Sequence, residues 1–144
     1  MNLMQICTDH LVTVKPGAPI IEAARLMRDN HVGAVVVMSD LLPPGPVGIL
    51  TDRDIVIRAV AFAGQKTMLT VDQVMSPTPM LVPGSMHVHE ALKLMRKRGV
   101  RRLLVTGEHG RLKGVVSFDD MVMLFSEELT DMAKAMAASM QREA

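Results

Sequence analysis

The chain has 144 residues, 49% of them apolar, and a formal charge of +1. That length suits one compact domain, and the near-neutral balance leaves no global field to draw in nucleic acid or an acidic membrane surface. Three Phe with no Tyr or Trp argue against base-stacking platforms, and the lone Cys7 excludes an internal disulfide or a thiolate metal cluster.

The first residues, MNLMQICTDH, lack the basic and apolar regions of a signal peptide. The longest apolar run, Val32 to Met38, falls far short of the roughly 20 residues that span a bilayer. The expectation is a cytoplasmic protein without nucleic-acid or membrane partners. The 14 methionines fill the volume that aromatics leave, or form an adaptable surface for a partner.

An extended stretch around Leu11–Val14 comes first, followed by the turn KPGAP. Ile20, Ala23, Ala24 and Met27 then recur at helical spacing, which predicts a half-buried helix. Asn30 lies near its end, where Asn or Gly takes a left-handed cap. The run Ala34–Met38 reads as a strand covered on both faces. A loop, SDLLPPGPV, leads to a second strand at Val47–Leu50 and a second helix.

After a linker at 65–70 the order repeats. Met80–Val82 is extended, VPGS turns, and Val88, Ala91, Leu92 and Met95 line a helix that ends near Gly99. Strands follow at Leu103–Thr106 and Leu112–Val116, joined by the turn Gly107–Gly110. Residues 12–37 and 80–105 share eight identities without a gap, at an offset of 68 that falls to 66 after the shorter second loop. The lead-ins Ile6-Cys7-Thr8 and Val74-Met75-Ser76 match in type. The fold class is therefore α/β, two tandem β-α-β-β-α repeats, with divisions at 1–66, 67–125 and 126–144. The last helix starts near Ser117 and runs to about Arg142. Its stripe of Met121, Phe125, Leu129, Met132, Met136 and Met140 outruns one small repeat, so its end either frays or packs on a second subunit.

Both copies carry Gly-h-h-[Ser/Thr]-x-x-Asp, h being apolar, where a strand gives way to a helix. The free N–H groups of a first helical turn attract phosphate, and a carboxylate one turn in can bind paired ribose hydroxyls. Thr51 and Asp54, or Ser117 and Asp120, suit those tasks. The same spacing is also a helix capping box, and on spacing alone both readings stand. Gly48 and Gly114 equally suit a close approach of backbones.

The tandem repeat with Gly48-Ile-Leu-Thr-Asp-Arg-Asp54 after the second strand resembles a pair of CBS (cystathionine β-synthase) domains, a Bateman module, from about residue 3 to 125. The resemblance implies a pseudo-two-fold arrangement and homodimerisation. It also implies an adenosyl nucleotide (AMP, ADP, ATP, S-adenosylmethionine or NAD) as regulatory ligand in clefts between the repeats, with no cofactor required. Carried over by position, the first cleft takes Thr51 and Asp54 against the edge at Met80 and Leu81, with Arg101 and Arg102 aimed at phosphate and Arg53 close by. The second takes Ser117 and Asp120 against Val12 and Thr13. There the arginines are replaced by Gly33 and Ala34, so no positive charge is expected and phosphate should favour the first cleft.

Arg58, one turn into the helix, reads as a surface charge. His87 and His89 diverge at their spacing, and His10, His31 and His109 are scattered, so no metal site is expected. No nucleophile–base set is legible, which points away from an enzyme. A regulatory nucleotide sensor that signals to an effector protein leads. A ligand-independent interaction protein using the Met-rich C-terminal helix is the alternative.

Overall fold

The computed structural model describes residues 1–62 and 68–143, so half of the expected linker at 65–70, and the division at 66/67, fall outside the described residues. After a 3-10 turn at Leu3–Gln5, the first repeat comprises β1 (Thr13–Val14), α1 (Ile20–Asn30), β2 (Ala34–Ser39), β3 (Gly45–Thr51) and α2 (Asp52–Asp54). Helix α2 continues as a π turn at Ile55–Ala59 and a 3-10 turn at Val60–Phe62. Then come α3 (Val71–Val74), β4 (Ser76–Pro77), β5 (Leu81–Pro83), α4 (Val88–Arg98), β6 (Arg102–Thr106), β7 (Leu112–Ser117) and α5 (Phe118–Glu143).

One sheet runs β1-β2-β3-β4 and the other β5-β6-β7. In each, the short first strand is parallel to the middle strand and the remaining pairs are antiparallel. The expected helix faces are the buried ones, Ala23 and Met27 in α1 and Val88, Ala91 and Met95 in α4. Val35, Val36 and Val37 are all buried, as are Leu103, Leu104 and Val105. Alternate residues of a strand face opposite ways. Val35 and Val37 belong to the first core, and Leu103 and Val105 to the second. Val36 and Leu104 lie on the other face, between the repeats, where Val36 lines a cleft with Val115 and Ser117.

The lead-ins cross over. Leu3 is fully buried in the second repeat's core, while Val71 and Val74 are buried in the first. Asn2 bridges to His87 and Pro19 to Thr70, pairs related by the 68-residue offset. Thr8 bridges to Val115 just as Ser76 pairs with Ile49. The sequence match of the lead-ins marked their equivalence but not their exchange. Each repeat is completed by residues that precede the other, so neither core closes alone.

The two glycines make this crossing possible. A Cβ on Gly114 would sit 2.6 Å from the carbonyl oxygen of Thr8 and 2.9 Å from Cys7 Sγ, and one on Gly48 would meet Met75 Sδ. Met75 is flexible and can turn aside, and the backbone carbonyl that faces Gly48, that of Ser76, lies further off at 3.0 Å. Gly114→Ala should therefore cost about 2–3 kcal/mol, read as a lowered urea midpoint, and Gly48→Ala should cost less. Equal midpoints for the two variants would contradict this account of the crossing. Burial is the main influence pushing the Cys7 thiol up, which keeps it protonated at neutral pH.

One local expectation needs correction and a second needs an addition. The left-handed residue after α1 is His31 (φ 54°), not Asn30, because the helix runs one residue further, level with Gly99 (φ 64°) after α4. Asn30 instead donates its side-chain amide to the Leu26 carbonyl. Arg58 is exposed as expected, yet it is not free. Its Nη1 donates to the carbonyls of Val74 and Met75, both at 3.1 Å, which ties the π turn to the end of α3.

Candidate functional site

The strand–helix junctions set the carboxylates. At the first, Asp54 Oδ2 accepts from the Thr51 backbone N–H (3.0 Å) and Oγ1 (2.9 Å), and Asp54 N–H donates back to Thr51 Oγ1 at 3.0 Å. At the second, Asp120 Oδ2 accepts from Ser117 N–H (2.7 Å) and Oγ (2.6 Å), and Asp120 N–H donates to Oγ at 3.2 Å. The capping reading holds at both junctions. It leaves Oδ1 of each carboxylate outside the cap; Asp54 Oδ1 is 3.8 Å from Arg58 Nε. One carboxylate can therefore cap its helix through one oxygen and offer the other to a ligand.

Each junction opens into a cleft whose walls come from both repeats. The Asp54 cleft gathers Thr51, Arg53 and Asp54 with Met80, Arg101 and Arg102. The Asp120 cleft gathers Ser117 and Asp120 with Val12 and, contrary to the expectation of no positive charge, Arg102. The alignment places Arg102 opposite Ala34, but its long side chain also reaches the second cleft. Leu81 and Thr13 do not line their clefts; Leu81 is 45% exposed. On an extended edge neighbouring side chains point opposite ways, so Met80 and Val12 face in while Leu81 and Thr13 face out.

Other lining residues went unnoticed in the sequence: Thr8 and His10 in the Asp120 cleft, and Ser76 and Thr78 in the Asp54 cleft. They are equivalent pairs at the 68-residue offset and immediately precede the extended edges. That repetition was the available signal. Arg101 is engaged locally, with Nη2 donating to Asp119 Oδ1 at 2.9 Å and its guanidinium 5.5 Å from the Phe118 ring centroid. His89 lies beside Phe125, with ring centroids 5.7 Å apart. Among the described residues no group of three or more His, Cys, Asp or Glu is placed to hold a metal ion. No described helix is long and apolar enough to cross a membrane.

Two crossed α/β repeats enclosing paired clefts, each with a carboxylate at a strand–helix junction, define a tandem-repeat ligand-cleft module. The CBS domain family model matches residues 3–60 and 71–127, and the chain belongs to that family. An uncharacterised protein of Methanopyrus kandleri is 31% identical over 124 residues, which is 86% of this chain and 62% of that protein. A CBS domain-containing protein of Bacillus subtilis is 34% identical over 116 residues, 81% of this chain and 79% of its own length. Among solved structures, a CBS domain protein from Pyrobaculum aerophilum complexed with AMP superposes with a TM-score of 0.72 at 28% identity, covering 83% of this chain and 89% of that one.

Proposed function

We propose that this chain is a regulatory sensor, without a reaction of its own, that binds an adenosyl nucleotide between its two CBS repeats and passes the occupancy to an effector protein. The observation that carries this reading is the Asp54 cleft. It joins a carboxylate suited to ribose with three guanidinium groups suited to phosphate, Arg53 from one repeat and Arg101 and Arg102 from the other. Met80 offers an apolar edge for the base. The AMP complex of the Pyrobaculum relative supports the same ligand class. In this reading Thr51, Arg53, Asp54, Met80, Arg101 and Arg102 serve the first cleft, and Val12, Ser117 and Asp120 the second. Leu81 and Thr13 shape the edges that present Met80 and Val12.

Ligand held between crossed repeats changes how they pack, and coupling of about 1–3 kcal/mol is enough to bias a partner. Thermal melting with AMP, ATP, S-adenosylmethionine and NAD tests the reading. A ligand at about 100 times its Kd adds about 2.7 kcal/mol, or about 8 °C for a chain of this size. No shift with any of the four would reject the sensor. It would favour the second reading, a ligand-independent interaction protein, which rests on the exposed Leu129, Met132, Met136 and Met140 of α5. Both readings place the chain in the cytoplasm as a homodimer, with the repeats at 1–66 and 67–125 and the helical extension at 126–144.

A further inference from the structure

The two clefts share a wall. Ile49 and Arg102 line both of them. Arg102 opens β6 opposite Ser117, as Ala34 opens β2 opposite Thr51. The second repeat thus supplies a guanidinium where the first supplies a methyl group. Arg102 is half-buried, yet among the described residues it forms no ion pair. Its neighbour Arg101, by contrast, is held by Asp119. A Cβ built on Gly33 would lie 3.9 Å from Arg102 Nη2 and 3.3 Å from Asp52 Oδ2. The guanidinium therefore rests over Gly33, in room that Gly33 and Ala34 leave clear.

We propose that Arg102 is a single phosphate-binding cation shared by the two clefts, so that a phosphorylated ligand in one cleft weakens binding of a phosphorylated ligand in the other, while an uncharged adenosyl ligand is accepted beside it. The inference rests on reading the clefts as adenosyl sites. The Asp54 cleft has Arg53 and Arg101 as well, and it takes the first phosphate. The Asp120 cleft has Arg102 as its one arginine, beside His10. Once a phosphate in the Asp54 cleft engages Arg102, the shared wall carries added negative charge. A second phosphate then meets like charge across a partly desolvated partition, where screening is weaker than in bulk water.

Calorimetric titration of the full chain with AMP, with adenosine, and with adenosine after AMP saturation tests this. Adenosine should fill two sites per chain. AMP should fill one, with the second about tenfold weaker or more, and the AMP-saturated protein should still take one adenosine. Ala34→Arg places a second guanidinium at the equivalent position and should bring the two AMP affinities within about threefold of each other, with adenosine stoichiometry unchanged. A circular dichroism melt checks that this variant folds, and the wild-type titrations decide the question if it does not. Two equal AMP sites in the wild type, with adenosine also bound, would overturn the shared cation and leave the sensor reading intact. One AMP per chain with no adenosine beside it would also overturn it, because the cleft and not the charge would then be limiting. Failure of both AMP and adenosine to bind would overturn this inference and leave the sensor reading to the melts with ATP, S-adenosylmethionine and NAD.

Discussion

Asp54→Ala is expected to weaken AMP binding at its cleft by about 100-fold or more. Asp54 Oδ2 is committed to the cap with Thr51, while Oδ1 has a single long contact, to Arg58 at 3.8 Å. Two ribose hydroxyls donating to an ionised oxygen contribute about 1.5–3 kcal/mol each, and about 3 kcal/mol corresponds to roughly 100-fold in Kd. The same substitution removes the cap, at a further cost of about 1 kcal/mol in folding stability. Thr51→Ala separates the two roles. It deletes the hydroxyl that accepts from Asp54 N–H but keeps the carboxylate, so stability should fall by a similar ~1 kcal/mol while AMP affinity changes by less than about tenfold. Calorimetry on both proteins, beside urea melts, gives the comparison. If the two variants lost AMP equally, the carboxylate would be a cap and nothing more.

How far each feature was legible depended on the range of the interactions that fix it. Helix faces and buried strands are local periodicities, and Ala23, Met27, Ala91 and Met95 fall where those periodicities put them. The junction motif is local too, although spacing alone could not divide capping from binding. The structure shows a complete cap at Thr51–Asp54 and leaves the second oxygen for another partner. The crossing of the lead-ins was hidden because Leu3 and Val71 would look the same packed on either core. Gly48 and Gly114 marked a close approach without naming what approaches. Arg102 was misjudged for a related reason. Alignment assigns a residue to one position in a repeat, but a long side chain at a shared wall reaches two sites. Leu81 and Thr13 were misplaced by treating an edge as a surface, when its alternation admits one residue of each neighbouring pair.

Replacing Met132 and Met136 together by glutamate is expected to convert a dimer into a monomer. Helix α5 runs from Phe118 to Glu143, 26 residues or about 39 Å at 1.5 Å each. Met121 is buried in the second core, but beyond Phe125 the helix leaves the body of its own chain. Leu129, Met132, Met136 and Met140 are 64–67% exposed there. Helices in proteins draw most of their stability from packing an apolar face, so this exposed stripe calls for a partner surface. From Leu129 to Met140 the stripe advances 11 positions in three turns, close enough to the natural helical period to keep to one face. Charge selects the direction of pairing. Glu127, Glu128 and Asp131 crowd the start of the extension, and nothing further along gathers as many charges of one sign. Antiparallel pairing of two copies keeps the two acidic starts apart, where parallel pairing would stack them, while Met and small Ala side chains fill the seam. Light scattering should give twice the mass of one chain for the wild type and a single chain for the double variant, whose far-ultraviolet helix signal should also fall. A wild-type chain that is monomeric at tens of micromolar would reject the pairing, and a double variant that stays dimeric would move the interface elsewhere. The exposed Val56 and Ile57 of the first repeat, equivalent to Val122 and Met123 of the second, would be the next surface to test.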